Sequence, residues 1–393
     1  MVAAPRQVVF RTDAGQRIGT GHVMRCLSIA DRLVAVAAQS NETLQVHFIC
    51  KAHVGHMADQ IAARGHACTL LPVTPEWAGD GYLAWLGGPV DADAKLTCEA
   101  IAKAGGADLL VVDHYALDAT WQRLIRSAVA HIAVIDDLPK RAHDCDILID
   151  QNIGHTADLY DGRVPEGVPV LAGANFAPVR GAFAELRTAS LARRAEVDIP
   201  QVLLVSLGGA DPDDVTSAVL RALRAPLMFK EVHVVLSGIA RHLDAVRSEV
   251  AHHDNVTLHI DTRDMPALMA QADLSIGAAG VTAIERCVLG LPTLMVVVAD
   301  NQIETANRMA GLGAVQLLGN TAQITADSVY DALCAFMSHT PQDGVKGGGT
   351  SPLRAMSSAA ATLCDGQGLD RIAPALLEIM SSDRDAQKTF EQE

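Results

Sequence analysis

A histidine placed directly after a run of glycines is a candidate general base, and residues 11–22 supply one. Arg11, Asp13, Gly15, Gly19, Gly21 and His22 lie where an apolar run ends and a helical pattern begins. Glycines there let a ligand approach the backbone, and the start of the helix offers unpaired N–H groups. The positive end of the helix dipole favours a neutral His22 ring, the form that accepts a proton from water. A turn that merely packs His22 would use the same residues, so the loop by itself leaves both readings open.

The run Val111-Val112-Asp113-His114-Tyr115 puts three polar groups in succession at the end of an apolar stretch. In an open parallel sheet such an end faces the ligand. A helix cap accounts for Asp113 but not for the pair His114 and Tyr115. Asp113 and Tyr115 are therefore the functional candidates, with His114 beside them. Asp136 and Asp137 follow the next apolar run. They can orient a base or cap a helix, and two adjacent aspartates without a third ligand do not make a metal site.

Two further turns suit a phosphate. Gly208 and Gly209 follow the apolar run 201–206, and Ala279, Gly280, Val281 and Thr282 open a helix after 274–276. Backbone N–H groups in such turns hold phosphate oxygens, although tight turning alone also calls for glycine. Glu285, a single carboxylate on an otherwise apolar helix, either accepts both hydroxyls of a ribose or is a surface-helix glutamate, and its lone place among apolar residues favours the former. Asn301 and Gln302 follow the wholly apolar run 294–298; their amides either face the ligand or cap the next helix.

The elements that must position these groups follow from length and pattern. At 393 residues the chain exceeds the ~250–300 at which single cores stop growing. Short apolar runs alternate with Ala/Leu-rich helical stretches, which reads as α/β throughout. The expected architecture is two Rossmann-like domains facing each other across a cleft: residues 1–195 with the catalytic loop, then 196–340 with the nucleotide site. Residues 341–393 are read as a flexible glycine-rich linker, centred on 340–352, and a helical tail.

Composition narrows the partners. The formal net charge is −15 with no long Lys/Arg run, which argues against nucleic acid. The eight cysteines are scattered without a CxxC pair, and read as free thiols rather than a disulfide framework or zinc site. No apolar run approaches the ~20 residues that span a bilayer, and the N-terminus has no charged segment followed by an apolar one. A cytoplasmic protein with no membrane association, no metal and no cofactor is expected.

Taken together, GTGHVMRCLSIADRL, VVDHY, IDDLP, SLGGADP and ADLSIGAAGVTAIERCVLGLPTLMVVVADNQ resemble the UDP-2,4-diacetamido-2,4,6-trideoxy-β-L-altropyranose hydrolases of pseudaminic acid biosynthesis. The likeness runs from about residue 8 to about residue 318, with motifs in the family's order. The second half also resembles the nucleotide-binding domain of the N-acetylglucosaminyltransferase of peptidoglycan synthesis. The resemblance implies a metal-independent, inverting enzyme of the GT-B fold acting on a UDP-sugar. It implies His22 as the base, Tyr115 as a tyrosine of the cleft, Glu285 and the GAAGVT loop at the uridine diphosphate, and Asn301 and Gln302 near the sugar. The family's Gly-Pro-x-Tyr-Ala segment is here Gly173-Ala-Asn-Phe-Ala177, a departure that bears on the sugar's substituents. Competing readings are a glycosyltransferase using the same nucleotide site, a hydrolysing 2-epimerase, for which no additional carboxylate pair is evident, and a non-catalytic nucleotide-sugar binder.

Overall fold

The computed structural model describes residues 5–74, 77, 79–225, 229–337 and 351–390, with the side chains of 383–390 excepted. The chain divides into two units, one of residues 1–178 and 367–393 and one of residues 179–366.

The first unit is built on seven short strands: β1 (Arg6–Thr12), β2 (Leu44–Lys51), β3 (Ala67–Leu71), β4 (Leu109–Asp113), β5 (His131–Ile135), β6 (Ile147–Asp150) and β7 (Val170–Ala172). They form one sheet in the order β3-β2-β1-β4-β5-β6-β7, and each pairing is parallel. Its central strands carry unbroken apolar runs at 8–10, 109–112 and 132–135 because both faces are covered there. Val8, Phe10, Leu109 and Val111 face a core that includes Val23, Leu27, Ile29 and Leu33. Those four lie on helix α1 (Gly21–Gln39). Val9, Leu110 and Val112 alternate to the opposite face, against Leu86, Ile101 and Trp121.

The second unit holds β8 (Val202–Ser206), β9 (Glu231–Leu236), β10 (Val256–Ile260), β11 (Leu274–Ala278), β12 (Thr293–Val297) and β13 (Gln316–Asn320). Their order is β10-β9-β8-β11-β12-β13, and all pairings are again parallel. Leu203, Val205, Leu274, Ile276, Leu294 and Val296 fill its core.

In both sheets the strand order reverses direction beside the first strand of the unit. Open α/β sheets bind ligands at such switch points, beyond the carboxyl ends of the strands. For the first unit that is the end of β1 and β4; for the second it is the end of β8 and β11.

Three expectations differ from what is found. The helix Gly181–Arg194 groups with the second unit, so the division falls at 178/179 rather than 195/196. Its buried Arg194 explains this, since it donates to the carbonyls of Met269, Ala272 and Leu289 at 2.6–2.8 Å. The C-terminal helix Gly368–Phe390 is no detached tail: Ile372, Ala373, Leu376 and Met380 lie in the core of the first unit. The sequence near 54–64 predicts a helix, but only Ala58–Ala63 forms one, because Gly55 turns through a positive φ of 88°. Most of the expected linker, residues 338–350, lies outside the described residues.

Candidate functional site

In the first unit, β1 and β4 end level with each other, Thr12 beside Asp113. The chain then leaves β1 through a closed loop. The N–H of Gly19 donates to the carbonyl of Gly15 at 2.8 Å, and that of Gly15 returns to Gly19 at 3.3 Å. Closing it so tightly requires φ of +82° at Gly19, which a side chain would strain. The loop delivers His22 in the first turn of α1, above the end of β4.

There His22 Nδ1 lies 2.7 Å from Asp113 Oδ1. The same carboxylate accepts from Arg25 Nε and Nη2, each at 2.6 Å, and from Cys26 Sγ at 3.4 Å. Burial alone would raise the Asp113 carboxyl, but the Arg25 guanidinium and His22 override it and hold it well below the ordinary carboxylate range. An ionised carboxylate can only accept, so Nδ1 of His22 carries a proton toward it, and in the neutral ring Nε2 keeps its lone pair. Asp113 itself has no exposed surface. It meets the His22 ring and no solvent, in place of the ligand-facing position expected for it.

An aromatic wall stands beside the ring. Tyr115 meets His22 edge-on at 4.8 Å between centroids, and Trp85 lies 6.2 Å away. Tyr82 touches both Trp85 (4.9 Å) and Tyr115 (4.8 Å), and the Arg141 guanidinium sits 5.5 Å over the Tyr115 ring. Burial, and then the nearby Asp137 carboxylate, raise the Tyr115 hydroxyl above its usual range, so it remains a phenol that can donate.

Arg11, Asp13 and His114 take other positions than expected. Arg11 and Asp13 have no exposed surface and His114 is 3% exposed. Arg11 pairs with Asp13 at 2.7 Å and with Asp93 at 2.8 Å, and Lys51 reaches Asp93 at 3.1 Å. Asp13 Oδ1 also accepts from the backbone N–H of Lys51 at 2.6 Å. His114 accepts from Ala116 N at 3.0 Å and lies 3.3 Å from Asp13. Burial, together with the Arg11 charge, pushes its pKa down to about 4, so it stays neutral. The three form a buried network under the glycine loop in place of direct substrate contacts. Gly19 has likewise committed its N–H within the loop, whereas Gly21 is half-buried at the start of α1.

In the second unit β8 and β11 run side by side, with Ser206 beside Gly277. Gly208, at φ +92°, and Gly209 form an exposed turn after β8. After β11, the N–H of Ala279 donates to Val296 at 3.2 Å and is unavailable to a phosphate, contrary to expectation. Gly280 and Thr282 are half-buried and Val281 is exposed. Beneath the turn lies buried Arg286, which donates to the Ala278 carbonyl and to Thr282 Oγ1 at 3.3 Å. A Cβ at Gly277 would fall 2.5 Å from Arg286 Nη1, so glycine is required where this guanidinium passes. Burial pushes the Arg286 pKa down to about 10.

Glu285 is 9% exposed and 3.2 Å from Arg180 Nη2. Burial raises its carboxyl, with the Arg180 charge opposing. Gln302 Oε1 accepts from Val298 N at 3.2 Å, and its Nε2 stands 3.6 Å from where a Cβ on Gly280 would be. That amide therefore flanks the turn, while Asn301 is exposed.

Sequence reasoning missed Arg25, Tyr82, Trp85, Arg141 and Arg180. Arg25 had a signal, since it lies one turn after His22 on the same helical face. So did Tyr82 and Trp85, which fall close together in a chain with 4% aromatic residues. Asp136 accepts from Arg141 and from His143 (2.8 Å), and Asp137 pairs with Arg25 at 3.2 Å. Among the described residues no group of three or more His, Cys, Asp or Glu is arranged to hold a metal ion. All eight cysteines are free thiols. Among the described residues no helix is long and apolar enough to cross a membrane.

No protein-family profile matches the chain. It is 23% identical over 309 residues to the UDP-2,4-diacetamido-2,4,6-trideoxy-beta-L-altropyranose hydrolase of Campylobacter jejuni, covering 78% of this chain and 97% of that protein. It is 30% identical over 154 residues to the UDP-N-acetylglucosamine–N-acetylmuramyl-(pentapeptide) pyrophosphoryl-undecaprenol N-acetylglucosamine transferase of an Exiguobacterium species, covering 38% of this chain and 42% of that protein. Among solved structures, Acinetobacter baumannii MurG superposes with a TM-score of 0.64 at 14% identity, covering 95% of this chain and 100% of that one. The resemblance read from the motifs therefore stands: the chain has two parallel-sheet domains of the GT-B fold and is similar over most of its length to a UDP-diacetamido-trideoxy-altropyranose hydrolase.

Proposed function

We propose that the protein hydrolyses a UDP-linked diacetamido-trideoxy sugar at its anomeric C–O bond with inversion. The products are UDP and the free sugar, a precursor of a nonulosonic acid of the pseudaminic type. The observation that carries the reading is the His22–Asp113 contact of 2.7 Å at the switch point of the first sheet, with Arg25 holding the carboxylate ionised.

Each step has a candidate group. A water oxygen attacks the anomeric carbon while its proton passes to Nε2 of His22. The bond from that carbon to the diphosphate breaks, and its electron pair leaves on the phosphate oxygen. An oxocarbenium-like transition state of this kind is favoured by fixed dipoles at the leaving group. The amides of Gly280, Val281 and Thr282, with Gly208 and Gly209, are the candidates for that role. Glu285 would then take the ribose hydroxyls, with Asn301, Gln302 and the Tyr115 phenol at the sugar. Diphosphate is a stable anion, so the step requires no metal and no general acid. The reading places the reaction in the cytoplasm, with a UDP-sugar as the one small-molecule partner and no nucleic acid.

A second reading is supported by the local 30% identity to a glycosyltransferase. In it an acceptor hydroxyl replaces water at the same base. Incubating purified protein with UDP-sugars and measuring free UDP without acceptor separates the two. Hydrolysis supports the first reading, and UDP release that strictly requires an acceptor supports the second. In the same assay His22→Asn should keep UDP affinity and lose turnover by ~10²–10⁴-fold; near-normal turnover in the folded variant would remove His22 from the mechanism.

A further inference from the structure

Behind the aromatic wall lies a pocket that the proposed reaction does not use. It has a volume of about 360 Å³ and belongs wholly to the first unit. Its walls include Ile18 of the glycine loop, Val54, Val73 and the rings of Trp77 and Trp85. Gln16, Arg17, His53 and Thr74 are polar residues of the same lining. Trp85 thus forms part of this pocket while its ring stands 6.2 Å from that of His22.

The lining is held in place from within. His53 Nε2 donates to the Trp85 carbonyl at 2.8 Å, Thr74 N to Gly87 O at 2.7 Å, and Trp77 Nε1 to Leu83 O at 2.9 Å. Because a carbonyl only accepts, the first contact places a ring proton on Nε2 of His53. The pocket therefore combines apolar and aromatic walls with the polar residues Gln16, Arg17, His53 and Thr74. That set matches an acylamino group, which brings one N–H, one carbonyl and an alkyl chain. Its volume lies within the ~300–1,000 Å³ of pockets that take whole small ligands, so an acetyl group would leave most of it empty.

We infer that this pocket receives an acylamino substituent of the sugar, and that the acyl chain it selects is longer than acetyl. The inference rests on the UDP-sugar reading above and specifies the substrate within it. Filling apolar space is favourable by an amount that multiplies kcat/KM about fourfold for each methylene that enters.

The test uses UDP-N-acetylglucosamine and its N-propanoyl and N-butanoyl analogues, with a parallel series acylated at C4 of a UDP-4-amino-4,6-dideoxy sugar. Released UDP gives kcat/KM, and calorimetry gives the affinity of each compound for the full-length protein. A rise of about fourfold per added methylene in one series, flattened in Val73→Trp, which fills the pocket, is the expected result. Thr74→Trp narrows the same space from another wall and serves if the first variant does not fold. Hydrolysis of the acetyl compounds with no gain along either series overturns the inference and leaves the hydrolase reading standing. If no compound releases UDP, the hydrolase reading is decided on the UDP-2,4-diacetamido-2,4,6-trideoxy sugar itself, and fails if that too releases none. The pocket is then judged on affinity, where a rise with chain length supports it and a flat series overturns it.

Discussion

Replacing Asp113 by Asn keeps the shape of the side chain and removes its charge, at a position with no exposed surface. Two effects follow and can be measured apart. Removing one partner of a buried ion pair costs about 3–5 kcal/mol of stability, since the other charge is left uncompensated. Arg25 keeps a second carboxylate, Asp137, at 3.2 Å, which puts the expected loss near the lower end, about 3 kcal/mol. The catalytic effect arises through His22. An amide N–H turned toward Nδ1 makes that nitrogen an acceptor and moves the ring proton to Nε2, where the attacking water needs a lone pair. Loss of the correct tautomer with intact geometry costs up to ~10⁴ in kcat in serine proteases, and ~10²–10⁴ is expected here.

UDP affinity should not change, because the proposed nucleotide groups lie in the second unit. Stability should also respond to pH with a definite sign. A carboxyl depressed in the folded state contributes stability above its unfolded value of ~3.9 and loses it as pH falls toward the native value. The deficit of Asp113→Asn should thus be equal at neutral pH and at pH ~5, and narrow only below ~4. Urea unfolding, UDP calorimetry and saturating UDP-release rates measure the three quantities. A folded Asp113→Asn protein that turns over within a few-fold of wild type would refute the tautomer argument, whatever its stability. Arg25→Lys serves as a milder perturbation: it keeps the charge but cannot make the two-pronged contact, and should lose less of both quantities.

Activity should survive EDTA, since helix and turn amides are the proposed counterweight to the leaving diphosphate; loss on chelation with recovery on adding Mg²⁺ or Mn²⁺ would bring Asp136 and Asp137 back as ligands. Glu285→Gln should weaken UDP binding by ~1.5–3 kcal/mol, roughly 10- to 150-fold, while kcat falls less than kcat/KM; equal UDP affinity by calorimetry would return Glu285 to a structural role with Arg180. Because burial raises the Glu285 carboxyl, UDP affinity should also start to fall with decreasing pH above the ordinary glutamate value of ~4.3, and should lose that dependence in Glu285→Gln.

The strands were readable where burial on both faces had made them continuous apolar runs, as at Leu109–Asp113 and Thr293–Val297. Two of the four edge strands lacked that signal. Val170–Ala172 is three half-buried residues, and Gln316–Asn320 carries polar ends, so neither stood out. The boundary between units was misplaced because what fixes Gly181–Arg194 is a set of carbonyls some 75–95 residues further on, which no local pattern reports. The C-terminal helix had a legible apolar face, but a sequence does not say which core that face will enter. In the candidate site, types and spacing drew attention to His22, Asp113 and Tyr115. They did not distinguish a side chain that meets a ligand from one buried beneath it, and Arg11, Asp13 and His114 belong to the second kind.

The legible motifs are also the ones that competing functions share. A base after the first strand and glycine turns after β8 and β11 serve a hydrolase and a transferase alike, because both must activate an oxygen nucleophile and accommodate a leaving nucleoside diphosphate. Under the proposed mechanism, what separates them is whether water or an acceptor hydroxyl stands at Nε2 of His22. That depends on the walls around the base, and here the walls are Tyr82, Trp85 and Tyr115. Two of these lie in the segment between β3 and β4, which carries no motif. Substitution along that segment should therefore change the choice of nucleophile and sugar while leaving UDP affinity intact, whereas substitution in the glycine turns of the second unit should do the reverse. Divergence between proteins of this fold would accordingly collect where a motif search has nothing to match.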